Sequence, residues 1–259
     1  MHLLGIDFED WYHPELVSPH VPEEKRIPVM FKGLEKILEL LRKNETVGTF
    51  FIVGELLESN PEINDKILDE GHEIGFHTMK HTRLDEKKFK SEFKRELEEF
   101  ERLTPKKPIS FRAPTFSLNN TSSWIIDELV NNGYQYDSSV VPAKTSMYGL
   151  PNAQESPYKI SSKNIEKDDS NGALIEFPLL VTNFLGKKIP AAGGFYLRTL
   201  PTKITKNAIK NYEKQGIQAS IYIHSWEITP EYMPKLELPL KDKFTTFHNI
   251  DDTYSSCLL

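Results

Sequence analysis

With 259 residues, 38% hydrophobic and 27% charged, the chain is long enough for two small domains or for one undivided barrel. A net charge of −6 at pH 7 leaves no broad basic surface, so nucleic acid is excluded as an expected partner. The single cysteine, Cys257, excludes a disulfide framework and a thiolate zinc site, so any metal must be held by histidine and carboxylate.

Leu3-Leu4-Gly5-Ile6 is too short for a signal peptide and is cut off by Asp7. No apolar run approaches the roughly 20 residues of a membrane-spanning helix. The sequence therefore predicts a soluble, cytoplasmic protein without membrane insertion, and carries no signal of oligomeric state.

Residues 2–6 read as a short buried strand, followed by three carboxyls, Asp7, Glu9 and Asp10, where strand meets loop. Catalytic groups of parallel α/β proteins gather at such strand ends. After a proline-bearing surface loop, residues 29–43 carry apolar side chains at helical spacing. A β-branched and aromatic strand follows at 46–53. Pro61 then opens a helix that Gly71 closes.

The strand at 72–76 delivers His77 and His81 to its far end. Two imidazoles four residues apart can reach one ion from a single helical turn, with a carboxylate completing a set open to water and substrate. A charged helix runs over about 85–103, its charge forming the solvated side. The next strand, 109–114, ends in Arg112 and a proline; a helix around Trp124 stops at Asn132-Gly133, and a strand over 134–139 leaves Asp137 near its end.

Residues 142–172, rich in Pro, Ser, Asn, Lys and Asp, read as an excursion, because too little chain follows for a second complete core. A strand at 174–179, a glycine-rich turn at 191–196 and a helix at about 202–215 come next. The last clear strand, 219–224, ends in His224-Ser225-Trp226-Glu227, and residues 244–259 read as a final helix or tail. The alternation predicts an α/β fold in a single domain.

Together these residues resemble the polysaccharide deacetylases, the NodB-homology domain of carbohydrate esterase family 4. The segment over 60–81, NPEINDKILDEGHEIGFHTMKH, is similar to the family's approach to its His-Ser/Thr-x-x-His motif. Phe8-Glu9-Asp10 falls on the family's Phe-Asp-Asp, and Arg112-Ala113-Pro114-Thr115-Phe116 on its Arg-x-Pro-Tyr-Gly. The Asp-x-Glu-Asp-aromatic start, Gly193-Gly194 and His224-Ser225-Trp226-Glu227 look most like the branch found in exopolysaccharide and exosortase-associated gene clusters.

The resemblance implies a distorted (β/α)7-type barrel that removes the N-acetyl group from an N-acetylated sugar, polymer or precursor. It implies a divalent metal, Zn2+ first, with Co2+, Ni2+ or Mn2+ as alternatives, held by Asp10, His77 and His81. The base is Asp7 or Glu9. Arg112 would steer that carboxylate, Asp137 would be the acid of the fourth motif, and His224 would protonate the leaving amine. Thr115 and Trp226 would line the substrate pocket, Thr115 without the aromatic ring usual at its position. Two further readings keep the fold: hydrolysis of a cyclic amide, as in allantoinases, and an inactive sugar-binding relative.

Overall fold

The computed structural model describes residues 2–191 and 193–257. In chain order the strands are β1 (Leu3–Phe8), β2 (Thr49–Ile52), β3 (Glu73–Phe76), β4 (Ser110–Phe111), β5 (Tyr136–Asp137), β6 (Tyr158–Ile160), β7 (Leu174–Glu176), β8 (Val181–Phe184), β9 (Lys187–Pro190) and β10 (Ser220–His224). Eight of them form one sheet in the order β10-β1-β2-β3-β4-β5-β7-β6. Only β6 runs antiparallel in it, against β7. Just past β7, Leu179 bridges Ser220 in parallel, and the Leu180 N–H donates to the Ser220 carbonyl at 2.9 Å. The sheet thus curls until its seven parallel positions meet, a distorted (β/α)7 barrel. The β8–β9 hairpin stands apart.

The helices are α1 (Leu34–Lys43), α2 (Gly54–Ser59), α3 (Glu62–Asp69), α4 (Phe89–Leu103), α5 (Trp124–Asn131), α6 (Gly194–Thr199), α7 (Thr202–Lys214), α8 (Ser225–Ile228), α9 (Leu240–Phe247) and α10 (Thr253–Ser256). Their apolar stripes cover the sheet. α4 buries Phe89, Phe93, Leu97 and Phe100 at helical spacing. Phe93 and Phe100 meet Phe76 of β3 at ring-centroid distances of 6.0 and 4.7 Å. Each such ring removed from water contributes roughly 2–3 kcal/mol.

The structure departs from the sequence reading in several places. α4 begins at Phe89 rather than near 85, and α2 follows β2 directly. The excursion at 142–172 contributes β6 to the sheet. The glycine-rich turn is the start of α6, with Gly193 at φ 136° and Gly194 at φ 50°; a Cβ on Gly193 would strike the Tyr222 ring. Ala192 of that turn lies outside the described residues. Where one closing helix or tail was expected from 244, α9 starts earlier, at Leu240, and the short α10 follows at Thr253; residues 258–259 likewise lie outside the described residues.

Strand register brings the chemistry to one end. Asp7 sits opposite His224 across the β1–β10 pair, and Phe76, opposite Phe111 across β3–β4, places His77 and Arg112 side by side one residue on. All four occupy the carboxyl ends of parallel strands, the face where barrel enzymes build their sites.

Candidate active site

Arg112 lies across the inside of the barrel and is 1% exposed. A guanidinium buried that deeply must have its donors met. Its Nε donates to the Ser138 carbonyl at 3.0 Å, Nη2 to Ser138 Oγ at 2.9 Å, and Nη1 to Asp7 Oδ1 at 2.6 Å. The Phe51 ring lies 4.2 Å from the guanidinium carbon. Gly5 makes the room, since a Cβ there would collide with the guanidinium. Asp7, held in this way, lines a pocket of about 130 Å³ together with Glu9, His77, His81 and His224.

Glu9, His77 and His81 bring one ligand atom each within 4.8 Å of one another. The His77 Nδ1–H donates to the Arg112 carbonyl at 2.7 Å, which leaves Nε2 as the ring's free lone pair. Burial pushes the His77 imidazole down to about 4, so it stays neutral and able to bind a metal. Glu9 Oε1 accepts from Trp226 Nε1 at 2.8 Å. Its Oε2 lies 2.8 Å from His81 Nε2 yet makes no hydrogen bond among the described residues. Burial would raise the Glu9 carboxyl, but His81, His224 and His77 outweigh it and hold the group well below the ordinary carboxylate range. A buried anionic oxygen without a donor, facing two imidazole nitrogens, fits a divalent cation of the kind that takes nitrogen and oxygen ligands.

The two histidines reach this position from a loop rather than a helical turn. Thr78 and His81 both lie in the left-handed region, at φ 59° and 57°, and that fold-back turns His81 toward Glu9.

Asp10, expected as the third ligand, is instead committed to the backbone. Its Oδ1 accepts from Trp11 N–H at 2.9 Å, and its Oδ2 accepts from Val29 and Met30 at 2.7 and 2.9 Å. These bonds tie the loop after β1 to the start of the segment before α1. Side chains alternate along extended chain, so Glu9 faces the pocket as Asp7 does, and Asp10 faces away.

Asp137, expected as the acid of the fourth motif, lies apart from this pocket. It accepts from Ser139 Oγ at 2.5 Å and shares a fully buried position with Glu176, whose carboxylate accepts from Val140 N–H at 3.0 Å. Burial and the neighbouring carboxylate push Glu176 up, and burial raises Asp137 to about 6. Asp137 is not among the residues lining the pocket that holds His224.

The carboxylate beside His224 is Glu227, to which no expectation gave a role. Its Oε2 takes the His224 Nδ1–H at 2.7 Å and the His224 backbone N–H at 3.1 Å. This is a capping box at the start of α8, and the His-x-x-Glu spacing in the sequence was its signal. The Trp226 ring stacks on the imidazole at 5.1 Å and 21°. Burial would lower His224, but Glu227 overrides it and raises the ring to about 9. Nε2 is left pointing into the pocket, 3.8 Å from Glu9 Oε1. Thr115 and Phe116 line the opposite wall in left-handed conformation, at φ 51° and 48°.

Known proteins share this framework. Residues 30–136 match the family model described as polysaccharide deacetylase, and residues 138–257 match a domain of unknown function, DUF3473. A peptidoglycan-N-acetylglucosamine deacetylase of Bacillus cereus is 34% identical over 88 residues, 33% of this chain and 41% of the relative. The peptidoglycan-N-acetylmuramic acid deacetylase PdaA of Bacillus subtilis is 30% identical over 103 residues, 39% of this chain and 38% of the relative. The chain thus spans about two-fifths of the length of these curated relatives. A solved structure from Mycobacterium smegmatis, provisionally called a polysaccharide deacetylase, superposes with a TM-score of 0.58 at 17% identity, covering 99% of this chain and 83% of that one. The structure of Puue allantoinase gives 0.54 at 14% identity over 86% and 78%. Both likenesses speak for the fold alone. The DUF3473 match is consistent with the exopolysaccharide and exosortase-associated branch. The segment 30–136, which carries His77, His81 and Arg112, thus matches the polysaccharide deacetylase family, and the barrel around it has the fold of a structure given that description.

Proposed function

We propose that the protein is a metal-dependent carbohydrate N-deacetylase in which Glu9, His77 and His81 hold the cation, Asp7 is the base and His224 the acid. The observation that carries this reading is the donor-less Glu9 Oε2 set against His81 Nε2 at 2.8 Å, with Asp7 and His224 lining the same pocket. A divalent ion bound there, Zn2+ by the nature of the donors, would polarise the acetyl carbonyl and lower the pKa of its water toward neutrality.

Asp7 is the group fitted to take a proton from the attacking water, because Arg112 fixes its orientation from behind and its carboxylate faces the pocket. Addition of the oxygen to the acyl carbon gives a tetrahedral oxyanion. As the C–N bond breaks, its electron pair goes to nitrogen, which takes the proton from His224 Nε2. Acetate and the free amine are the products. Trp226 packs on the imidazole and narrows the pocket toward a small acyl group.

The relatives named for peptidoglycan deacetylation make N-acetylated saccharides the substrate class to test first. The test is acetate release from a panel of N-acetylated mono- and oligosaccharides by protein stripped of metal and then reloaded with zinc, with allantoin as a control arm. Zinc-dependent acetate release is expected. Ring opening of allantoin without acetate release, or saccharide binding with neither reaction, would refute it.

A further inference from the structure

The carboxylate behind His224 has a partner of its own. Glu227 gives Oε2 to the imidazole and Oε1 to Arg198, whose Nε lies 2.8 Å away. The two side chains are 0% and 1% exposed, so this ion pair is fully desolvated. Arg198 sits on α6, in the region matched to the domain of unknown function.

The rest of the guanidinium reaches past the site. Nη1 donates to the His248 carbonyl at 2.5 Å and Nη2 to the Thr245 carbonyl at 3.3 Å. Both acceptors lie at the C-terminal end of α9, where carbonyls lack helical partners and favour a cation. Asn249 Nδ2 donates back to the Arg198 carbonyl at 3.1 Å. A continuous line therefore runs from the end of α9 through one guanidinium and one carboxylate to the imidazole.

A purely structural ion pair between α6 and α8 would leave both Glu227 oxygens free to chelate the guanidinium, the geometry arginine favours. Here the oxygens are divided, one to each neighbour, which fixes the plane of the carboxylate and with it the ring. We propose that Arg198 is a positioning residue. Acting through Glu227, it holds the imidazole of His224 with Nε2 toward the scissile nitrogen, and so makes the segment over 240–252 part of the catalytic apparatus. This rests on the deacetylase reading above.

The step it serves is departure of the amine, which must gain the Nε2 proton as the C–N bond breaks. An activated aryl ester expels its phenolate without a proton and does not need the ring held. Arg198→Met and Arg198→Lys should be compared with the wild type, zinc-loaded, on an N-acetylated oligosaccharide and on 4-nitrophenyl acetate. The expected result for Arg198→Met is a fall of roughly a hundredfold in kcat on the amide, the scale of one general acid, with KM and ester hydrolysis nearly unchanged. Arg198→Lys keeps the charge without the fork and should show the same selective loss, reduced. If Arg198→Met does not fold, the lysine variant decides the matter. Equal loss on both substrates, or no loss on the amide, would overturn the proposal.

Should the wild type release acetate from no saccharide, the deacetylase reading fails by itself. Nuclear magnetic resonance of 15N-histidine-labelled protein then decides the positioning role. The Nδ1–H signal of His224, assigned with His224→Ala, should be protected from exchange in the wild type and lost in the arginine variants; its full retention there would overturn the proposal.

Discussion

Replacing Asp10 by alanine should separate fold from chemistry. The side chain is fully buried and accepts from three backbone N–H groups, those of Trp11, Val29 and Met30. Trp11 and Met30 are themselves buried, so their N–H groups have no ready access to water in the variant. Each orphaned buried donor costs about 1–3 kcal/mol, so the Trp11 and Met30 amides together cost about 2–6 kcal/mol. For a chain of this size that is a fall in Tm of roughly 4–24 °C. Glu9→Gln is the counterpart. It keeps the volume and the Trp226 contact but removes the charge from the cluster, so zinc affinity should fall by more than tenfold. Urea unfolding of the metal-free proteins and zinc titration by calorimetry read the two effects separately. The reasoning is refuted if Asp10→Ala unfolds like the wild type yet no longer binds zinc, or if Glu9→Gln binds zinc as the wild type does.

Asp7→Asn should lower kcat by a factor of roughly 10²–10⁴ while zinc affinity stays within tenfold of wild type, as acetate release and calorimetry would show. It also leaves the buried Arg112 without its anion, so a stability loss of about 3 kcal/mol should accompany it. Gly5→Ala drives a methyl into the same guanidinium and should cost about 1–3 kcal/mol, read as a lower urea midpoint. The Asp137–Glu176 pair gives a pH effect of definite sign. Asp137 rises from an ordinary 3.8 to about 6 in the folded protein, and Glu176 is raised with it. The folded state keeps a proton that the unfolded chain releases near pH 4. The stability that Asp137 contributes is therefore full below pH 4 and is lost as pH rises through about 6, by on the order of 2–3 kcal/mol, and Glu176 carries the loss on to higher pH. The double variant Asp137→Asn with Glu176→Gln should flatten that part of the stability curve in urea titrations at pH 4–7.

The barrel was readable because alternation of apolar strands with amphipathic helices survives in single residues such as Phe89, Phe93, Leu97 and Phe100. His77, Arg112 and His224 stand at strand ends, where the fold dictates their convergence, while His81 is brought in by the loop after β3. What sequence spacing could not resolve was the facing of consecutive acids. An ungapped motif match sets Asp10 on the ligand position, but chain alternation turns Glu9 inward, and the Val29 and Met30 amides claim Asp10 from 19 and 20 residues away. The surroundings of Asp137 are hidden from the sequence for a related reason. Its partner Glu176 arrives from β7, 39 positions later, and no local pattern announces a carboxyl pair. Glu227 did carry a local signal, the His-x-x-Glu capping box, whereas Arg198 had none, because its three acceptors come from α8 and from the end of α9.

The central claim is the identity of the metal's ligands, and a crystal grown with zinc and measured at its absorption edge tests it most directly. The expected anomalous peak lies within about 2.0–2.3 Å of a Glu9 carboxylate oxygen and of the His77 and His81 Nε2 atoms, with Asp10 still on the backbone amides of Trp11, Val29 and Met30. A peak coordinated by Asp10 and not by Glu9, or no peak between the two histidines, would contradict it.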